Sequence, residues 1–447
     1  MKVHNLDTGL NYATIQEAID ASETLDGHTI FVEPGTYYEN VVVHKSLFIL
    51  GEEGNATIID GNGVGNVLTI TADNVVVAGF TIRNSGDYPY CGIYVSSSYN
   101  NITHNIVTRN YRGIWVNASS HNVISWNNVT ENAYYGVELQ YSDNNVVWGN
   151  NVTKNEHVGI YLYESSNNTI SRNEIADDCY GVFIFGLSRN NVVTENNITM
   201  NNSGVKLWLS SFCNFVCDNE IRDNINGIWI YAACNNTVSR NIIAGNSASG
   251  IGFEECSGNV VFENEVRENN CGAWVMWGFN NTVYHNNFVN NREQTRIYTS
   301  GYVNFWDNGL EGNYWSNYTG VDTDHDGIGD SAYEIDENNT DRYPLMGVFH
   351  VFEAAEGVEV SIITNSTIQS FGYFESNSTM RLVVSNVTTR QTYGFCRVCI
   401  PHVLMDISNI TVIIDDGVVT PLYFNNMIYD NGTHRWIYFA YPHSRRR

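Results

Sequence analysis

The chain has 447 residues, 43% of them hydrophobic, and its 22 basic and 48 acidic side chains leave a formal charge of -26. That length and content suffice for a large core and more than one domain, and six prolines exclude a collagen-like chain. So acidic a surface excludes nucleic acid and anionic membranes as partners and favours divalent cations, while no apolar run approaches the length of a membrane span.

The first ten residues carry no secretory-leader pattern. Residues 12–21, YATIQEAIDA, predict an amphipathic helix with Ile15, Ala18 and Ile19 on one face, suited to plug the open end of a solenoid. Alternating strands broken by Pro34-Gly35, Gly51, Gly54 and Gly61 follow, and these predict the first, longer coils.

From residue 101 to 303 a unit of about 23 residues recurs. In the copy at 145–167, NVVWGNNVTKNEHVGIYLYESSN, one asparagine opens the unit and a second follows five places on. The second recurs at Asn105, Asn127, Asn150, Asn173, Asn196, Asn219, Asn241, Asn264, Asn286 and Asn308. A glycine keeps step at Gly92, Gly113, Gly136, Gly159, Gly181, Gly204, Gly227, Gly250 and Gly272. A unit this short holds no complete core, so each must bury its apolar face against the next copy. Short alternating strands split by Asn and Gly predict a right-handed parallel β-helix rising about 4.8 Å per coil, with the asparagines stacked in a ladder.

The run IQEAIDA, then IFVEPGTYYENVVV, then TIIDG resembles the opening of the pectin-lyase-like β-helix superfamily. The coils that follow resemble its NosD-like branch of surface and periplasmic repeat proteins, common in archaea. The resemblance covers roughly residues 5–347 and implies fold rather than function.

After each glycine, the first and third positions are expected to point inward, as Ile114 and Val116 do, and the second and fourth outward. The outward set is aromatic: Tyr94, Trp115, Tyr161, Tyr163, Phe183, Phe185, Trp208, Trp229, Tyr231 and Trp274. Such a stripe is expected to bind a polysaccharide or glycan by ring stacking, or to pack against other protomers of the same chain. Cys213, Cys234 and Cys256 fall in one corner of successive coils, where one disulfide or a reduced stack fits. Cys396 and Cys399 lie on a strand that turns them to opposite sides, which argues against redox or zinc chemistry.

Beyond the coils, Asp322, Asp324 and Asp326 stand at positions one, three and five of a calcium loop. Gly327 follows at six, the Ile328 carbonyl at seven and Asp330 at nine. Position twelve is Tyr333 rather than glutamate, so the loop is no EF-hand; it resembles the loops of thrombospondin type 3 repeats, which implies structural Ca2+. From about residue 348, six or seven alternating segments predict a small antiparallel β-sandwich, resembling the end modules of archaeal surface β-helix proteins.

The fold expected is all-β: a capping helix and first coils (1–90), regular coils (91–303), a cap with the calcium-like loop (304–347) and a sandwich (348–447). Asn-x-Ser/Thr occurs 17 times. Outside the ladder it marks Asn55, Asn317, Asn338, Asn365, Asn377, Asn386, Asn409 and Asn431 as glycosylation candidates. Together these imply an extracellular or cell-surface protein, its leader removed, that is structural, adhesive or self-assembling and non-catalytic. The alternative is a lyase, epimerase or hydrolase of a uronic-acid polymer, but its candidate groups, Glu138, Glu164, Lys206 and Glu254, are scattered and Asp177-Asp178 fits a corner. Copper handling, which the NosD resemblance raises, finds no His/Met cluster.

Overall fold

The computed structural model of the chain describes residues 2–52, 54–299, 301–405, 410–414 and 420–443. Two compact units emerge: Met1–Val260 with Val266–Asn281 and Asn291–Tyr302, and Val261–Glu265 with Thr282–Asn290 and Val303–Arg447.

The first unit opens with an antiparallel trio, Val3–Asn5 pairing with Leu10–Tyr12 and Thr29–Val32. The helix runs over Ile15–Asp20, shorter than the sequence pattern, because Tyr12 is held in that sheet and the Thr14 side chain caps the Glu17 N–H. Ile15, Ala18 and Ile19 are buried as expected.

The chain then winds as a right-handed parallel β-helix with three strands per turn. One turn comprises Val158–Tyr163, Thr169–Ser171 and Glu174–Ala176, and Tyr180–Phe185 of the next turn stacks on the first strand in parallel register, Ile160 on Val182 and Tyr161 on Phe183. Inward residues such as Ile114, Val116, Ile160, Leu162, Ile228 and Ile230 are wholly buried. Each contributes roughly 1.5 to 3 kcal/mol before entropy is counted.

Asparagine ladders hold the corners. Asn196 Nδ2 donates to Asn219 Oδ1 (2.9 Å) and to the carbonyls of Ile170 and Thr194, while its Oδ1 accepts from the Asn173 amide and backbone N–H. The residue before each rung adopts left-handed backbone, as Glu131, Lys154 and Glu195 do. Such a conformation costs about 1 to 2 kcal/mol in a residue bearing a Cβ, and the rung's hydrogen bonds offset it.

Within this unit three such columns run side by side: Asn100 to Asn281, Asn105 to Asn241, and Asn110 to Asn291. The third column was not foreseen, and its fourth rung is Asp178 rather than asparagine. The strand glycine is required by close approach: a Cβ on Gly136 would lie 2.6 Å from the Gly159 carbonyl and 2.7 Å from Val152.

The cysteine column departs from expectation. Cys234 pairs in register with Phe212 and Ser257, so Cys213 and Cys256 are each offset from it by one position, and all nine thiols are free.

In the second unit the rungs run from Asn264 to Asn286 to Asn313, not to Asn308. The turn before Asn313 is longer, and Asn308 instead accepts the N–H groups of Leu310 and Glu311. Trp306 and Trp315 fill this end of the coil. A five-stranded antiparallel sheet follows, in the order 348–355, 358–364, 393–401, 434–442, 423–430. The hairpin Thr367–Phe374/Thr379–Ser385 packs on it through Ile368, Phe371, Met380 and Leu382, making the small sandwich. The strand expected at 410–416 is not formed over 410–414, and its remainder lies outside the described residues.

Candidate functional site

The first strand of each turn carries the aromatic face. Trp115, Tyr161, Tyr163, Phe183, Phe185, Trp208, Trp229, Tyr231 and Trp274 all stand on it, half-buried against one another. Neighbouring rings meet at 5.4 Å (Tyr161 and Phe183), 5.6 Å (Tyr163 and Phe185), 4.2 Å (Trp208 and Tyr231) and 6.1 Å (Trp229 and Trp274). These are edge and offset geometries, which the ring quadrupole prefers.

The sequence reading missed a second row beside the stripe. Arg112, Tyr135 and Tyr180, each just before the strand glycine, lie alongside it, with Tyr134 and His157 one place earlier. Their signal was present, since the same glycine marks them. Strict alternation sent them inward, but the glycine's close approach breaks the alternation there and re-aims them.

The ionisable groups that seemed scattered are each engaged. Arg112 Nε lies 3.1 Å from Glu138 Oε2 and its guanidinium covers the Trp115 ring at 4.4 Å. Burial pushes Glu138 up to about 7 despite that arginine. Lys206 Nζ sits 3.7 Å from the Trp208 ring centre and 4.1 Å from that of Tyr180, with Phe183 and Trp229 completing the enclosure. Burial draws it down to about 8. Glu254 accepts from Trp229 Nε1 (3.0 Å) and fixes that ring, and Arg296 Nε donates to Glu293 (2.5 Å). The face thus presents rings and polar groups with its charges already partnered. Glu164 belongs to a corner, in left-handed backbone.

Near its later coils the face opens into a shallow cavity of about 230 Å³ between Trp229 and Trp274.

In the second unit the acidic loop brings together Asp322, Asp324 and Asp330, whose carboxylate oxygens converge within 4.8 Å. Asp322 also accepts the N–H groups of Asp326 and Gly327, and Asp330 that of Thr323. Asp326 stands apart: its carboxylate accepts the Ile328 N–H and lies 3.7 Å from Arg397. Ile328 bridges to Leu345, its side chain in the core. Burial raises Asp322 and Asp326 above the usual carboxylate range.

Arg397 also donates to Glu311 Oε1 (2.7 Å), and His285 meets the other oxygen at 2.9 Å. Burial alone would raise Glu311, but His285 and Arg397 hold it at about 2.

Asn55, Asn317, Asn338, Asn377, Asn386 and Asn431 are exposed, Asn365 is half-buried with its Oδ1 accepting from Phe395, and Asn409 lies outside the described residues. Among the described residues no helix is long and apolar enough to cross a membrane.

A parallel β-helix with asparagine corners and an aromatic outer strand defines a repeat protein of the pectin-lyase-like type. Residues 21–206 and 180–320 match the family described as periplasmic copper-binding protein (NosD), and the chain belongs to that family. It is 39% identical over 109 residues to a cell surface glycoprotein of Methanothermus fervidus, covering 24% of this chain and 17% of that one. It is 32% identical over 108 residues to a probable ABC transporter binding protein NosD of Stutzerimonas stutzeri, covering 23% and 24%. The chain thus spans a quarter or less of these relatives.

Among solved structures it shares its fold with the Azotobacter vinelandii mannuronan C-5 epimerase AlgE6 A-module (TM-score 0.56, 15% identity, 66% of this chain and 93% of that one). The Dettilon tailspike protein follows at TM-score 0.51 and 14% identity, over 94% and 83%. A GH87 alpha-1,3-glucanase catalytic domain stands at 0.51 and 14%, over 68% and 70%.

The family description invites a copper test, and this chain does not fit one. Among the described residues the converging set of three or more His, Cys, Asp or Glu donors is Asp322, Asp324 and Asp330, all hard oxygens. Copper prefers imidazole and sulfur ligands.

Proposed function

We propose that this chain is a non-catalytic extracellular or cell-surface solenoid that binds a glycan along its aromatic face. The observation that carries the reading is the half-exposed row of rings on successive turns, in a strand face where solvated strands ordinarily carry polar residues. Stacked rings present flat apolar surfaces at the rung spacing, and sugar faces match them. The relatives lend support, since one is named a cell surface glycoprotein and the fold is shared with an epimerase of mannuronan and a glucanase solved with tetrasaccharides. The non-catalytic part rests on Glu138, Lys206 and Glu254, each committed to a neighbour. Incubation with a panel of neutral and uronic polysaccharides should retain the protein on at least one without releasing unsaturated or reducing ends. Sustained release of such ends transfers the face to the lyase, epimerase or hydrolase reading, and no retention on any polymer refutes glycan binding.

We also infer that Asp322, Asp324 and Asp330 hold a structural calcium ion. Three carboxylates this close repel one another unless a cation lies among them, and hard oxygens suit calcium. At ten times the dissociation constant such a site adds about 1.4 kcal/mol to stability. Chelator should therefore lower the melting temperature of the wild type and leave that of Asp324→Asn unchanged; equal melting of the wild type with calcium and with chelator refutes the site.

A further inference from the structure

The later coils of the aromatic face differ from the earlier ones by what they lack. In the row before the strand glycine, Tyr135, Val158 and Tyr180 are followed in register by Ser203, Asn226, Ser249 and Cys271. Large side chains give way to small ones, and the cavity of about 230 Å³ opens where they do, with Ser249 and Cys271 in its lining.

A second omission coincides with the first. Gly252 lies in register between Trp229 and Trp274, where other turns carry Tyr161, Phe183 or Lys206. Its backbone is not left-handed, and an added Cβ would sit 3.7 Å from each tryptophan, so neither conformation nor crowding demands glycine. Glycine inside a strand is unfavourable and marks places where another group comes close. The two indoles lean together over it at 66° and form the wall of the cleft.

The charge of the cleft is nil. Arg296 borders it, but Glu293 takes its guanidinium through two oxygens. Lys206 is enclosed by four rings and Glu254 is held by Trp229. Asn226 and Ser249, joined by a 2.8 Å hydrogen bond, supply uncharged polar groups at the rim.

We propose that the cleft between Trp229 and Trp274 is a subsite for one uncharged pyranose residue of a glycan chain. It rests on the glycan-binding reading above and sharpens it: apolar walls take the C–H faces of the ring, and amide and hydroxyl groups take its hydroxyls. A uronate would bring a carboxylate to a cleft with no free cation, on a chain of net charge -26.

The full chain is titrated with neutral hexaoses of glucose, mannose and galactose and with hexagalacturonate, followed by tryptophan fluorescence and calorimetry. Two variants test the cleft. Ser249→Tyr fills it with the side chain that Tyr135 and Tyr180 already carry in this register, so the fold accommodates it. Trp274→Ala removes a wall. At least one neutral hexaose should bind at least about tenfold more tightly than hexagalacturonate, and both variants should weaken it about tenfold, as expected for a lost ring contact. Tyr94→Ala, at the far end of the face, should leave that binding unchanged. Neutral binding that survives both variants, or preference for the uronate, overturns the subsite while leaving glycan binding intact. If no hexaose or polysaccharide binds, both fall together.

Discussion

Asp178 offers a test of the ladder that needs no ligand. It occupies an asparagine position: its Oδ1 accepts the Asn155 amide (3.2 Å) and backbone N–H (2.6 Å), and its own N–H donates to Asn201 Oδ1. Where an asparagine would place its NH2, Asp178 has Oδ2, which is buried without a hydrogen-bond partner. Burial, opposed by the Asn155 bonds, raises its carboxyl from 3.8 to about 8. A protonated Oδ2 can donate as the neighbouring amides do; an ionised one cannot.

The folded value lies above the unfolded one, so the folded chain keeps a proton that the unfolded chain has released. The stability this contributes is complete below about pH 3.8 and is lost as pH rises to about 8, at no more than about 1.4 kcal/mol per unit. Asp178→Asn replaces the acid by a permanent donor. At pH 4 the two proteins should agree within about 1 kcal/mol, since both donate at that rung. At pH 9 the variant should be more stable by about 3 to 5 kcal/mol, the cost of an uncompensated buried charge. Scanning calorimetry of both proteins from pH 4 to pH 9 reads the difference directly, and groups common to both cancel. A gap that does not widen with pH refutes the reasoning.

Two further substitutions probe other contacts. Asn196→Leu removes three donated and two accepted hydrogen bonds and strands buried partners on both neighbouring turns, so denaturant titration should show a loss of about 3 kcal/mol or more; a loss below about 1 would mean the rungs contribute little. Arg397→Met should cost about 3 to 5 kcal/mol at pH 7, because buried Glu311 keeps only His285. The low Glu311 value places its stabilisation above about pH 4.5, to be lost as pH falls towards 2, so that variant's deficit should shrink at pH 4; an equal deficit at both pH values excludes Glu311 as the cause.

The parts legible in the sequence were those that recur. A coil must match its neighbours to pair with them, so Asn196, Gly159 and the inward Ile160 and Leu162 announce themselves by period alone. Errors fell where the period shifts. Asn308 holds the expected spacing, but the longer last turn hands its rung to Asn313, and a one-residue offset separates the cysteines that seemed to share a corner. The third ladder was visible in Asn110, Asn132 and Asn155 but hidden among so many asparagines, and Asp178 within it read as an ordinary corner acid.

The cleft was harder to see for a physical reason. A repeat sequence specifies what every turn shares, because that much is needed to stack; a ligand site on such a scaffold is made where one turn departs from the rest. Trp229 and Trp274 look like two more members of a stripe until Ser249 and Gly252 between them are compared with Tyr180 and Phe183 on the earlier turns. Small residues at two outward positions cost stacking contact that the neighbouring turns retain, and the solenoid tolerates the loss because its core lies on the other side of the strand, in Ile251 and Phe253. In this fold the inward positions therefore report architecture, and departures from pattern among the outward positions report function.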